Sequence, residues 1–201
     1  MKGEQQPEQH PPETGDHPGE PEPAIITPRI YVASLSDYNA GRLHGTWLDA
    51  AQEPEELHDQ IAGMLATSRE PHAEEWAIHD FEGFNGLHLG EWEDLAHVSR
   101  VAKGITEHGL AFAYWTTLVA TDEDLDQFED AYLGHWPSLT DYAEDVLDDL
   151  GVEDEVDRCV PENLRPYVTI DAEAFGRDLE LGGDVTAIED HDGVHVFAAR
   201  W

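Results

Sequence analysis

The sequence predicts an α+β fold: an elongated chain of three small domains (α+β, mostly helical, α+β) after a disordered N-terminal arm. Three observations predict it. Short runs of β-branched and aromatic residues stand near both ends of the ordered region, beside segments with the 3.6-residue apolar period of helices. The middle of the chain carries only helical or uniformly apolar patterns. Finally, 40% of the 201 residues are hydrophobic, with six each of Trp, Tyr and Phe, enough for a packed core despite a net charge of -35.

Residues 1–28 hold seven of the twelve prolines, six acids and one base. Their only sizeable apolar cluster is Ala24, Ile25 and Ile26, too little buried surface to offset the entropy of ordering, so they read as a disordered acidic arm. Arg29–Leu35 (RIYVASL) is the first strand. Ser36–Gly41 has turn chemistry, and Leu43–Asp49 returns as a second strand. Pro54–Ala66 is a helix: Pro54 suits the first helical position, and Leu57, Ile61, Met64 and Leu65 share one face. Glu74–Phe81 is a third strand. These elements make the first domain, 29–89. Glu91–Gly104 is helical, with Leu95, Val98, Ala102 and Ile105 in register. Leu110–Leu118 is apolar all round, hence a buried helix or strand. Thr121–Leu133 reads as a helix with Thr121 and Asp124 in a capping-box pattern and Leu125, Phe128 and Tyr132 inside. These form the middle domain, 90–136. Ser138–Leu150 is a helix with Tyr142, Val146 and Leu150 inward and Gly151 as its stop. Glu153–Cys159 is a short helix, and Asp171–Leu181 a last one with Phe175 and Leu179 four apart. Asp184–Ile188 and Val194–Arg200 alternate around Asp192-Gly193, a hairpin. They complete the third domain, 137–201.

The charge has a pattern. No Lys or Arg lies between Lys103 and Arg158, and the 54 positions from Gly104 to Asp157 carry sixteen carboxylates. Asp122, Glu123, Asp124, Asp126, Glu129 and Asp130 occupy the free face of one expected helix. Asp141, Glu144, Asp145, Asp148 and Asp149 occupy that of the next, and Glu153, Asp154, Glu155 and Asp157 follow. Like charges three and four residues apart destabilise a helix, so an unrelieved acidic face implies a use. Two acids per turn is about one charge per 2.7 Å of helix axis. Duplex DNA carries about one per 1.7 Å. Removing the arm's -5 from -35 leaves -30 for residues 29–201. A two-fold dimer then holds about -60, the charge of roughly 30 base pairs.

The same composition excludes other classes. Direct nucleic-acid binding needs a basic footprint, and this chain has the reverse. No stretch approaches the roughly 20 apolar residues of a membrane span, and the N-terminus lacks the apolar core of a signal peptide. A single cysteine, Cys159, allows no intramolecular disulfide, fits a reducing compartment and reads as a small buried residue near a helix end. The expected location is the cytoplasm. Asp122, Asp124 and Asp126 have the first spacings of a calcium loop, but Gln127 and Leu133 stand where Gly and Glu are required. His191 and His195 are four apart with a turn between them, and His79 and Asp80 point to opposite faces of a strand. No metalloprotease motif, nucleophile elbow, P-loop or dinucleotide fingerprint occurs. The expectation is therefore no enzyme, no cofactor and no metal. A halophilic acidic interaction module without DNA mimicry is the competing reading. It would spread acids over the whole surface, whereas the base-free block is concentrated in the middle.

Several stretches carry a family resemblance: RIYVASLSDYNAGRLHGTWLDA (29–50), EEWAIHDFEGF (74–84), FEDAYLGHWPSLTDYAEDVLDDLG (128–151), PYVTIDAEAFGRDLEL (166–181) and VHVF (194–197). In order and spacing they resemble the ArdA-type antirestriction proteins over about 170 residues. The resemblance implies an elongated dimer of three small domains that mimics DNA and occupies the DNA-binding groove of type I restriction–modification enzymes. It also implies carriage on plasmids or conjugative elements, protecting incoming DNA. The family's antirestriction motif maps best onto Asp148–Val156 (DDLGVEDEV). The resemblance places Leu150, Gly151, Val152 and Val156 at a dimer interface. The proline-rich arm before Ile30 departs from the family pattern.

Overall fold

A computed structural model describes residues 27–199. The expected disordered arm, but for its last two residues, lies outside them. The architecture is α+β, with two small antiparallel sheets.

The first sheet has the order β2-β1-β3, from β1 (Arg29–Ser34), β2 (Gly45–Asp49) and β3 (Trp76–Glu82). Between β1 and β2 the expected turn closes as one helical turn, α1 (Leu35–Asn39), in which Ser34 Oγ accepts from the Asp37 N–H. Alternation on β1 puts Ile30 and Val32 into a buried cluster with Leu57, Ile61 and Met64 of α2 (Pro54–Ala66). Helix α3 (Leu95–His108) adds Leu95, Val98, Val101, Ala102 and Ile105 to that cluster. Then α4 (Leu110–Leu118) packs so closely on α3 that a Cβ on Gly104 would stand 2.2 Å from the Phe112 ring.

Buried Asp37 ties the loops of this unit together. Ser68 Oγ donates to its Oδ2, and Arg42 Nε donates to Oδ1 at 3.3 Å. The Ser68 hydrogen bond, with those of Ser34 and Arg42, outweighs burial and holds the carboxyl below its ordinary pKa. A lowered folded-state pKa gives stability that is complete above the unfolded value of about 3.9 and is lost as pH falls through the folded one. Asp37→Asn is thus expected to be less stable than the parent at pH 7. The gap should close below pH about 4, as read by urea unfolding of both proteins at each pH.

The expected helix over 121–133 is divided. Glu123–Gln127 forms a 3₁₀ turn, Phe128–Ala131 a single α-turn, α5, and Tyr132–Trp136 a strand, β4. Leu125 and Phe128 are buried as expected, and Asp124 accepts from the Thr121 N–H and hydroxyl. From Tyr132 onward, pairing with a distant strand replaces the local helical preference.

That strand belongs to the hairpin of β5 (Val185–Glu189) and β6 (Val194–Ala198), giving the order β4-β6-β5. Central strand β6 is buried on both faces. Val194 and Val196 face α6 (Leu139–Asp149) and α8 (Ala172–Gly182), with Leu139, Tyr142 and Leu179 packed on them. Phe197 enters the large cluster that begins at Ile30, stacking on Trp115 of α4 with ring centroids 5.8 Å apart. The expected boundary at 136/137 falls at the end of β4, whose partner β6 lies beyond it. Helix α8 approaches α6 where a Cβ on Gly176 would stand 3.0 Å from the Leu139 carbonyl oxygen. Helix α7 (Val152–Cys159) follows α6 and buries none of its residues. Among the described residues, no helix is long and apolar enough to cross a membrane.

Candidate functional site

The acidic surface is mounted on four elements, a 3₁₀ turn and the helices α5, α6 and α7, rather than on the two longer helices and one short one expected. Asp122, Glu123, Asp124 and Asp126 sit on or beside the 3₁₀ turn, and Glu129 and Asp130 on α5. Asp141, Glu144, Asp145, Asp148 and Asp149 line α6, which is capped by Ser138 and anchored by buried Ala143. Glu153, Asp154, Glu155 and Asp157 lie on α7. Of these fifteen, all but Asp124 and Asp141 are exposed, and those two are half-buried.

The absence of bases within the block does not leave every carboxylate bare. Arg100 of α3 pairs with Asp126, Arg158 with Glu155, and Arg165 Nε with Asp157 at 3.3 Å. His97 Nδ1 lies 2.6 Å from Asp122. Trp136 Nε1 donates to Asp145 at 2.7 Å, and Ser138 Oγ to Asp141. These partners come from outside the block or from its aromatic and hydroxyl residues, which a count of Lys and Arg within it does not register. Among the described residues, the exposed carboxylates of Glu123, Glu129, Asp130, Glu144, Asp148, Asp149, Glu153 and Asp154 have no ion-pair or side-chain hydrogen-bond partner. The last five fall on the adjoining helices α6 and α7.

Leu150, expected to face inward, is 65% exposed. It follows α6 as its C-cap, and Gly151, in the left-handed region at φ 66°, turns the chain into α7. Val152 and Val156 are half-buried along an open cleft of about 740 Å³ that is also lined by Leu147, Ile170, Glu144, Asp148, Glu153, Asp157 and Arg165. Cys159 is exposed at the end of α7, not buried: that helix lies on the surface and offers no interior to occupy.

A second constellation lies on the β4-β6-β5 sheet itself. His195 on β6 has its Nε2 3.1 Å from Asp190 Oδ2 and its Nδ1 2.9 Å from the Tyr132 hydroxyl. His135 on β4 stands across from His195 in register, its Nε2 3.8 Å from Asp190 Oδ1. Burial lowers the His195 pKa against the opposing pull of Asp190. The Asp190 carboxyl is lowered, chiefly by the Asp192 N–H, with the His195 contact adding to it. Sequence spacing missed this group because it joins residues 135 and 190–195 through sheet pairing, and because residues 134–137 fall between the two helices expected over 121–133 and 138–150. Only the alternation of β6 and the hairpin turn at 190–193 offered a signal.

The surface can do ionic recognition over a broad area, and its exposed carboxylates are without the desolvation that acid–base catalysis requires. A family model described as Antirestriction protein (ArdA) matches residues 30–193. No curated protein matches the chain.

Proposed function

Because the chain belongs to the ArdA antirestriction family, we propose that it inhibits type I restriction–modification enzymes by setting carboxylates where those enzymes expect DNA phosphates. The observation that carries the reading is the run of exposed carboxylates along α6 and α7, five of them with no ion-pair or side-chain hydrogen-bond partner among the described residues. Helix α6 has eleven residues and five acids. At about 1.5 Å per residue it is roughly 16 Å long, or about one charge per 3.3 Å. A single DNA strand carries one phosphate per about 3.4 Å. Each acidic helix therefore imitates one strand of phosphates rather than the whole duplex, and an imitation of both strands needs several such elements.

The inhibition is competitive and non-covalent, with no cofactor and no bond made or broken. Arginines and lysines of the enzyme's DNA-binding groove meet the helix carboxylates, and charge complementarity speeds their encounter. The chain acts in the cytoplasm on behalf of incoming mobile DNA, without binding nucleic acid or membrane itself. It works as a homodimer joined through the segment containing Leu150, Gly151, Val152 and Val156. The exposure of Leu150 and the absence of any buried residue on α7 support that placement.

The test is competition among the purified chain, a type I restriction–modification enzyme and labelled target DNA across a salt titration. Sedimentation is run at the assay concentration. Inhibition is expected to weaken progressively with salt, and the chain to sediment at twice its mass. Inhibition indifferent to salt would sink the mimicry, and a monomer that still inhibits would remove the dimer.

A further inference from the structure

The second sheet holds a group of metal-ligating side chains that the acidic surface does not use. His135 and His195 are direct cross-strand partners on β4 and β6, with ring centroids 4.6 Å apart. Asp190, just after β5, reaches toward both, and one donor atom from each of the three residues lies within 4.8 Å of the others. We propose that His135, Asp190 and His195 form a site for one divalent transition-metal ion of the zinc class, which clamps β4 to the β5–β6 hairpin.

Two imidazoles and one carboxylate are the ligand types such ions select, and three protein ligands leave a fourth position for water. Bonds of about 2.0–2.1 Å in a tetrahedral site put ligand atoms roughly 3.3 Å apart. The His195 Nε2–Asp190 Oδ2 distance is 3.1 Å and the His135 Nε2–Asp190 Oδ1 distance 3.8 Å. These distances run to different oxygens and the three donor atoms lie within 4.8 Å of one another, so closing the site draws the donors together by up to about 1.5 Å, with His135 on an edge strand free to supply most of the movement. Neighbouring strands already hold the two rings on one face of the sheet.

The surroundings orient the ligands. The Tyr132 hydroxyl, 2.9 Å from His195 Nδ1, fixes that ring with Nε2 toward Asp190. Such outer hydrogen bonds position imidazole ligands in metal sites generally. Asp190 Oδ1 accepts from the Asp192 and Gly193 N–H groups at 2.9 and 3.0 Å, which locks the carboxylate at the turn. Gly193 leaves the space open: a Cβ there would stand 3.0 Å from His135 Nε2 and 2.2 Å from the Trp136 carbonyl oxygen. The Asp190 and His195 side chains are 6% and 10% exposed, while that of His135 is 36% exposed and provides the way in. Entry from solvent and a satisfied outer shell are what a real site requires. The site is independent of the inhibition mechanism.

Exposed carboxylates also attract cations, so the test must separate ligation from condensation. Co²⁺ alone is titrated into the full chain in a large excess of Mg²⁺, and its visible absorption is followed. One Co²⁺ per chain is expected, with ligand-field bands that Zn²⁺ abolishes. His135→Gln should weaken binding at least ten-fold, and Cys159→Ser should not. Long-range ¹H–¹⁵N imidazole spectra of the unaltered chain provide a readout that needs no variant: Zn²⁺ is expected to shift two of its twelve histidines. Bands that Mg²⁺ removes, binding indifferent to His135→Gln, or Zn²⁺ shifts spread over many histidines or absent would each overturn the proposal and leave a hydrogen-bonded Tyr132–His195–Asp190 network.

Discussion

Changing Glu144, Asp148, Asp149, Glu153 and Asp154 together to their amides is expected to weaken inhibition of a type I restriction–modification enzyme by on the order of 100-fold. The magnitude follows from exposed ion pairs at about 0.2–1 kcal/mol each, near 3 kcal/mol for five at mid-range, with about 1.4 kcal/mol per factor of ten. Each single change should then cost no more than about five-fold. These five are the residues to choose because they are the exposed carboxylates of the adjoining helices α6 and α7 that have no ion-pair or side-chain hydrogen-bond partner among the described residues. Asp126, Glu155 and Asp157 already hold arginines, so their removal would also release internal partners. Glu144 and Asp148 are four apart on α6, where like charges repel, and relief of that repulsion offsets the loss of Glu153 and Asp154 from the first turn of α7, so the variant should be about as stable as the parent. Loss of inhibition with undiminished thermal stability is thus separable from misfolding. Full inhibition by the five-site variant would remove the acidic helices from the mechanism. A single amide that abolishes inhibition would replace distributed charge with one hot spot.

The elements with strong local signals were legible in the sequence. Pro54 at the start of α2, the β-branched run at Arg29–Ser34 and the turn at Asp192-Gly193 each state their structure locally, and each stands where expected. What was hidden depends on partners far along the chain. Tyr132–Trp136 follows a helical pattern in Leu125, Phe128 and Tyr132, yet pairs with β6 some sixty residues later. The same pairing brings His135 to His195, so the misread strand and the missed histidine cluster have one cause. Leu150 completes an inward stripe with Tyr142 and Val146 by spacing, but α6 ends at Asp149 and the stripe turns outward there. The acidic character of the surface was plain from composition. Its partial relief by Arg100 was not, because an arginine on α3 and an aspartate 26 residues on meet only through packing.

Trp115→Ala is expected to cost about 3–5 kcal/mol of folding stability, as large-to-small changes of a buried Trp do. The side chain is 0% exposed, stacks on Phe197 at 5.8 Å and meets Phe128 edge-on at 6.4 Å. Phe197 lies on the central strand of the second sheet, whereas the cluster around Trp115 extends to Ile30 on the first. The indole therefore fills the interior that both sheets share. A domain's whole stability is commonly about 5–15 kcal/mol, so the loss should be plain in guanidinium unfolding by far-UV circular dichroism. The shape of the transition also matters. If burial around Trp115 couples the sheets, the parent unfolds in one step and the variant in one earlier step or two separate ones. A parent that unfolds in separate stages, with only one shifted by Trp115→Ala, would mean that the sheets fold independently and merely touch there. The distinction bears on inhibition, because α6 and α7 hang from the second sheet. A track of carboxylates imitates phosphates only while the sheet beneath it holds its place against the rest of the chain.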